Sequence, residues 1–299
     1  MESDEAANLR PNAWGRWGSK DEAGALNLIG TEQVKRAAGL VRTGEVIRLA
    51  QPLSNKTPVP RHRSGLQHFM SRDGGDYAAG AKRPGGFQFA EDTVVMPLHI
   101  GTHIDALCHA WCEEKMFNGY RETTMRSTSG ATRLGVEKMP PAFTRGLLVD
   151  LVKLRGRPLG ASEVVTRQDI EACLAQAGLR IEPGDAVLLH TGWLEAQIDN
   201  PDIDFNIEPG IDHEAGLWLA QQDVALIGAD NFAVEVLPFA SGTVFPVHQC
   251  VIRDFGIPLL EGLMLESLAG TGRTEFLFVA AALPIVGATG SPVAPLAVL

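Results

Sequence analysis

With 299 residues, 45% hydrophobic and 21% charged, the chain is long enough to bury a sizeable core and has an ordinary globular composition. A formal net charge of -10 and a sequence pI near 5.3 argue against nucleic acid or an anionic membrane surface as the main partner. Four cysteines (Cys108, Cys112, Cys173 and Cys250) are too few for a disulfide scaffold and read as free thiols of a reducing, cytoplasmic compartment. The start, MESDEAANLRPNAWG, lacks the apolar region of a signal peptide. The most apolar stretch, FLFVAAALPIVGA, runs for about 13 residues and contains Pro284, short of the ~20 that span a bilayer.

Residues 1–12 read as a loose acidic tail. Thr31 is positioned to cap a helix over EQVKRAAGLV, and EVIRLAQPL reads as a strand stopped by Pro52. Residues 53–92 are polar, basic in patches and rich in Gly and Pro. A loop of that length is usually functional, so it is a candidate substrate lid. After the segment TVVMPLHIGTHIDA, RGLLVDLV is strand-like. TRQDIEACLAQAG is a helix in which Thr166 caps, Asp169 follows three residues on and Gly178 ends the run. GDAVLLHTGW and DVALIGAD read as buried strands on either side of a helix over HEAGLWLAQQD. FPVHQCVIRDFG reads as helical, IPLLEGL follows, and TEFLFVAAALPIV closes the core. Apolar strands alternating with helices predict an α/β fold with a mixed sheet. There is no internal repeat or low-complexity linker, so residues 1–299 are expected to form one domain.

Taken at period two, one face of residues 93–106 carries Thr93, Val95, Pro97, His99, Gly101, His103 and Asp105. The other carries Val94, Met96, Leu98, Ile100, Thr102, Ile104 and Ala106 and belongs against a core. Imidazole nitrogen and carboxylate oxygen in line suit Zn²⁺, Mn²⁺ or Fe²⁺. In a straight strand His99 and His103 would stand ~13 Å apart at ~3.3 Å per residue. Convergence on one ion therefore needs a bend, and Gly101 is the residue that permits it. With His109, three of the eight histidines fall in this one short segment. Further ligands must come from elsewhere, and the candidates are His190, His213 and the group His248, Gln249 and Glu261. Cys108 and Cys112 have no second pair at zinc-knuckle spacing and read as packing thiols. No G-x-S-x-G elbow, G-x-G-x-x-G or P-loop motif occurs, which leaves serine hydrolysis and nucleotide binding without support.

The string H-x-G-T-H-x-D-x-x-x-H resembles the signature of the metal-dependent cyclase-family hydrolases, which include bacterial kynurenine formamidases and isatin hydrolases. FPVHQCVIRDFGIPLLEGLMLESL resembles that family's second block. WGSKDEAGALNLI, ALIGADNFAVEVLP and GSPVAPLAVL are similar to its longer bacterial and fungal branch. The resemblance implies a swivelling β/β/α fold around a barrel-like mixed sheet, and a dimer or tetramer. It implies His99, His103 and Asp105 as metal ligands, Glu261 as a further ligand, and His109 as the catalytic acid/base. Gln249, twelve residues before Glu261, falls where the formamidases place a histidine and isatin hydrolases a glutamine, with His248 as the alternative. Leu107 departs from the proline usual two residues before the last histidine. A glutamine ligand would weigh against a two-zinc site, leaving one or two ions of Mn or Zn open.

The expected function is hydrolysis of a small cyclic or N-acyl substrate (lactam, lactone, imide or aryl formamide) by water that a metal activates. His109 would serve as base and then acid, with a pKa near the working pH. His68 and Phe69 in the lid, Trp111 after the motif, and Phe232 are candidate substrate contacts. The alternatives are a metal-dependent lyase or cyclase acting on a carbonyl, and a metal-binding protein without catalysis.

Overall fold

The structure is a computed structural model that describes residues 10–197, 200 and 202–299. Residues 1–9 of the expected tail lie outside them. The strands used below are β1 (Val46–Arg48), β2 (Gln67–Arg72), β3 (Glu91–Val95), β4 (His103–Asp105), β5 (Ala142–Asp150) and β6 (Ala186–His190). They continue with β7 (Leu226–Ala229), β8 (Leu259–Glu261), β9 (Glu275–Ala280), β10 (Gly290–Pro292) and β11 (Leu296–Val298). Nine of them form one curled, half-barrel sheet in the order β1-β11-β9-β5-β6-β7-β8-β4-β10. Neighbours from β5 to β8 run parallel, and the flanking pairs are antiparallel.

The parallel centre explains the near-continuous apolar runs, because both faces of those strands are covered. Every residue of β6, β7 and β8 is buried. Helix α1 (Thr31–Ala38) and helix α2 (Arg167–Gln176) pack against β5, and helix α4 (His213–Gln221) packs beside the helical segment that follows Phe245. Between α2 and α4 lies the short helix α3 (Trp193–Gln197). The capping at Thr166 is as expected: its hydroxyl accepts from Asp169 N (3.3 Å), and Asp169 Oδ2 accepts from Thr166 N (3.1 Å). The start of α1 is corrected by one residue. Gly30 is the cap, its N–H donating to Gln33 Oε1 at 3.1 Å, and Thr31 is already helical. Among the described residues no helix is long and apolar enough to cross a membrane.

Two expectations change. Residues 53–92 are not one long loop, because β2 pairs antiparallel with β3 and a short helix over Gly74–Ala78 is capped by Asp73. Nor do residues 93–106 form one strand. Thr93, Val94 and Val95 belong to that exposed hairpin, the chain turns over 98–102, and only His103–Asp105 joins the main sheet. The apolar face is therefore fully buried only from Ile100 onward.

Candidate metal centre

The site forms at the carboxyl ends of the parallel strands, where open α/β sheets bind their ligands. Sheet register makes its first contact. Glu261, last residue of β8, is the direct partner of His103, first residue of β4, and Glu261 Oε2 lies 3.1 Å from His103 Nε2. The bend at Gly101 is real, with φ +56, and a Cβ there would meet Leu53 Cδ2 at 2.3 Å. It brings the rings of His99 and His103 to 5.3 Å between centroids, less than half their separation in a straight strand. Arg63 holds the bend from outside by donating from Nη1 to the His99 carbonyl at 2.6 Å. Across β4, Asp105 faces Gly290, where a Cβ would sit 2.7 Å from His99 Nε2. Only glycine leaves the His99 ring its place.

Asp105 is the hub and is fully buried. His99 Nε2 lies 3.2 Å from its Oδ1, and His109 Nε2 and His248 Nε2 lie 3.8 and 3.7 Å from its Oδ2. His248 Nε2 is also 3.4 Å from Glu261 Oε1. Two overlapping groups result, His99–Asp105–His109 and Asp105–His248–Glu261, each with ligand atoms within 4.8 Å of one another. The donor set fits a divalent cation on a second count. His99 Nε2, His103 Nε2 and both Asp105 oxygens are buried without a hydrogen-bond partner. Unpaired buried polar atoms are costly, and cations held around Asp105 would satisfy them.

Second contacts orient the rings. His103 Nδ1 lies 2.9 Å from the Gly101 carbonyl, and His248 Nδ1 lies 2.5 Å from Glu235 Oε1, leaving each Nε2 turned inward. Burial opposes a charged Asp105, yet His109 and His99 outweigh it and hold the carboxyl below the ordinary range. Burial likewise opposes a charged His248, but Glu235 and Glu261 prevail and push its pKa up to about 10. Glu261 stays below its ordinary value because His103 and His248 offset burial and Asp105. His109 goes the other way: burial pushes its pKa down to about 4 against the pull of Asp105, so the expected value near neutrality is corrected.

The structure brings together His99, His103, Asp105, His109, His248 and Glu261. It does not bring in Gln249, whose Nε2 donates to the Val244 carbonyl (2.7 Å) and whose side chain lines a separate cavity of about 650 Å³ with Phe239, Val244 and His213. Adjacent residues of a helical segment project in different directions, so His248 and Gln249 cannot both face Asp105. The glutamine argument against two ions therefore falls away. His190 and His213 also stand apart from the cluster. Of the substrate-contact candidates, Phe232 lies beside the centre, its ring 6.4 Å from His103, with Phe205 packed on it at 4.3 Å. His68 instead pairs with Asp92 (2.8 Å) on the hairpin, and Phe69 and Trp111 are exposed. Two carboxylates went unread in the sequence. Glu235 orients His248, and buried Glu208 accepts from the backbone N–H groups of Phe232 (3.0 Å) and Ala233 (2.7 Å), which fixes the Phe232 turn. Glu235 stands in an apolar stretch, a signal visible but without a partner to interpret it, whereas Glu208 lies in a polar one and carries no such signal.

A Cyclase family model matches residues 47–236. A solved structure described as a novel cyclase is 37% identical over 97% of this chain and 100% of its own, with a TM-score of 0.89. Isatin hydrolase A from Ralstonia solanacearum is 23% identical, covering 88% of this chain and 93% of its own, with a TM-score of 0.62. A protein described as a predicted metal-dependent hydrolase from Bacillus stearothermophilus is 21% identical, covering 85% and 97%, with a TM-score of 0.55. These last two are likenesses of fold. No curated protein matches the chain. The family match and the 37% identity along nearly its full length establish that the chain belongs to the Cyclase family.

Proposed function

We propose that the chain is a metal-dependent hydrolase that opens a small cyclic or N-acyl substrate, such as a lactam, lactone, imide or aryl formamide. The observation that carries this reading is the set of buried, unpartnered ligand atoms on His99, His103 and Asp105, joined by His248 and Glu261. The isatin hydrolase and the metal-dependent hydrolase among the structural neighbours support it. Nitrogen and oxygen donors without a thiolate suit Mn²⁺ or Zn²⁺. Cys108, though within the motif, is buried with Sγ toward the Ala288 carbonyl. A cation held there by these residues would supply a Lewis acid for the substrate carbonyl and would lower the pKa of a bound water.

The remaining work falls to the side chains. His109 is the least buried of the cluster, its side chain 29% exposed, so it stands on the open side. Neutral at neutral pH, it can accept a proton from the attacking water, and its low pKa makes the resulting imidazolium a ready donor to the leaving nitrogen or oxygen. Asp105 stabilises the imidazolium that forms, at 3.8 Å from Nε2. Phe232 and Phe205, with Trp193 and Leu194 in the same small cluster, offer an apolar wall beside His103 that suits a flat ring.

The test is a panel of cyclic amides, lactones and N-formyl aromatics, assayed on chelator-dialysed protein before and after Mn²⁺ or Zn²⁺ is returned. Turnover should appear with metal and be lost in His103→Ala. No turnover of any carbonyl compound by the fully loaded protein would overturn the reading.

A further inference from the structure

A second group of metal-type side chains lies outside the centre. His190 ends β6, Asp230 directly follows β7, and Glu195 stands in the first turn of α3. Their ligand atoms all lie within 4.8 Å of one another. Asp150, last residue of β5, is the register partner of His190, and its Oδ1 is 3.0 Å from His190 Nδ1. A carboxylate on one ring nitrogen is how proteins fix a metal-binding imidazole. The other nitrogen has no hydrogen-bond partner among the described residues, although the side chain is only 6% exposed.

The carboxylates are set in the same way. Glu195 Oε1 accepts from Leu265 N (3.0 Å) and Glu266 N (3.2 Å), while Oε2 is buried without a partner. Asp230 is locked by Thr191 N, Thr191 Oγ1 and Gly192 N at 2.6 to 3.0 Å. Asp150, Glu195 and Asp230 thus surround a single imidazole, and among the described residues no Lys or Arg forms an ion pair with any of them. Three carboxylates around one imidazole leave an excess of negative charge that a cation would balance.

We propose that His190, Glu195 and Asp230 hold a divalent cation of the Zn²⁺ or Mn²⁺ type, at a site separate from the Asp105 centre, that clamps the carboxyl ends of β6 and β7 to α3. The site rests on its own residues and not on the hydrolase reading. Its role is to fix α3, which carries Trp193 and Leu194, against the turn that carries Phe232.

The experiment uses the full chain, stripped by chelator, reloaded with Mn²⁺ alone and gel-filtered before metal analysis. Wild type should retain about one equivalent per chain more than either His190→Gln or Glu195→Gln. Reloading should also raise the melting temperature of wild type more than that of the variants. Glu195→Gln can keep the acceptor for Leu265 and Glu266, so it carries the test if His190→Gln does not fold. A Mn²⁺ anomalous peak among the three side chains in wild-type crystals is the independent readout. Equal metal content in wild type and Glu195→Gln, or the absence of that peak, would overturn the proposal. A site that merely shares a proton gives both of those results.

Discussion

Glu235→Gln is the most informative single change. Glu235 is buried, takes His248 Nδ1 on Oε1 at 2.5 Å, and accepts from the backbone of His248 and Val247 at 3.1 Å each. Glutamine preserves the shape but removes the charge and turns one acceptor into a donor. Loss of such an orienting carboxylate costs roughly 10- to 100-fold in metal affinity, or about 1.4 to 2.8 kcal/mol. The loss should be confined to the ion held by Asp105, His248 and Glu261, leaving an ion on the His99 side of Asp105 in place. A pH signature accompanies it. With its pKa pushed up to about 10, His248 is protonated in the metal-free protein at neutral pH, so loading an ion must release that proton. Apparent affinity therefore rises with pH, and rises less steeply once Glu235 no longer supports the imidazolium. The same raised pKa stabilises the metal-free fold below about 6.5, and that contribution is lost as pH rises through about 10. Mn²⁺ competition against a chelator between pH 6.5 and 8.5 reads both effects. Wild-type affinity with an unchanged pH slope in Glu235→Gln would refute the reasoning.

Other changes separate the parts of the site. Gly290→Ala places a Cβ 2.7 Å from His99 Nε2 and 2.9 Å from the Ile104 carbonyl. It should cost about 1–3 kcal/mol in thermal or denaturant unfolding and weaken the ion nearest His99. His109→Asn should lower kcat by about 10²- to 10⁴-fold with metal content unchanged, and a matching loss of metal would make His109 a ligand instead. Because His109 is deprotonated well below the ordinary histidine range, the wild-type rate should not fall between pH 7.5 and 6 through this group. Burial pushes Cys108, Cys173 and Cys250 up to about 12, so their thiolates are scarce at pH 8. A thiol-disulfide reagent should find about one fast thiol, Cys112, in the native chain and four after denaturation.

Much of the centre was legible because its ligands crowd one short segment. The spacing of His99, His103 and Asp105 demanded a bend, and Gly101 was the residue that could make it. The family string gave His109 its role, and the second block supported Glu261, already a candidate by residue type. What could not be read was set by long-range geometry. Glu261 meets His103 only because β8 and β4 pair in that register. The choice of His248 over Gln249 depends on where the helical segment starts, after Phe245 in a left-handed conformation at φ 47. Glu235 and Glu208 gain meaning only when folding brings His248 and the Phe232 turn to them. The strand alternation of residues 93–106 misled for a related reason. Val94 alternates correctly onto the apolar face, but it lies in an exposed hairpin ahead of the turn at 98–102 instead of in the core.

The central claim is that water, delivered at this centre, ends in the product. Turnover of a cyclic amide or lactone by the Mn²⁺-loaded protein in ¹⁸O-water tests it most directly. Mass spectrometry should find one ¹⁸O in the new carboxylate of the ring-opened product. A product formed at the same metal-dependent rate without ¹⁸O would contradict hydrolysis and assign the centre to elimination chemistry.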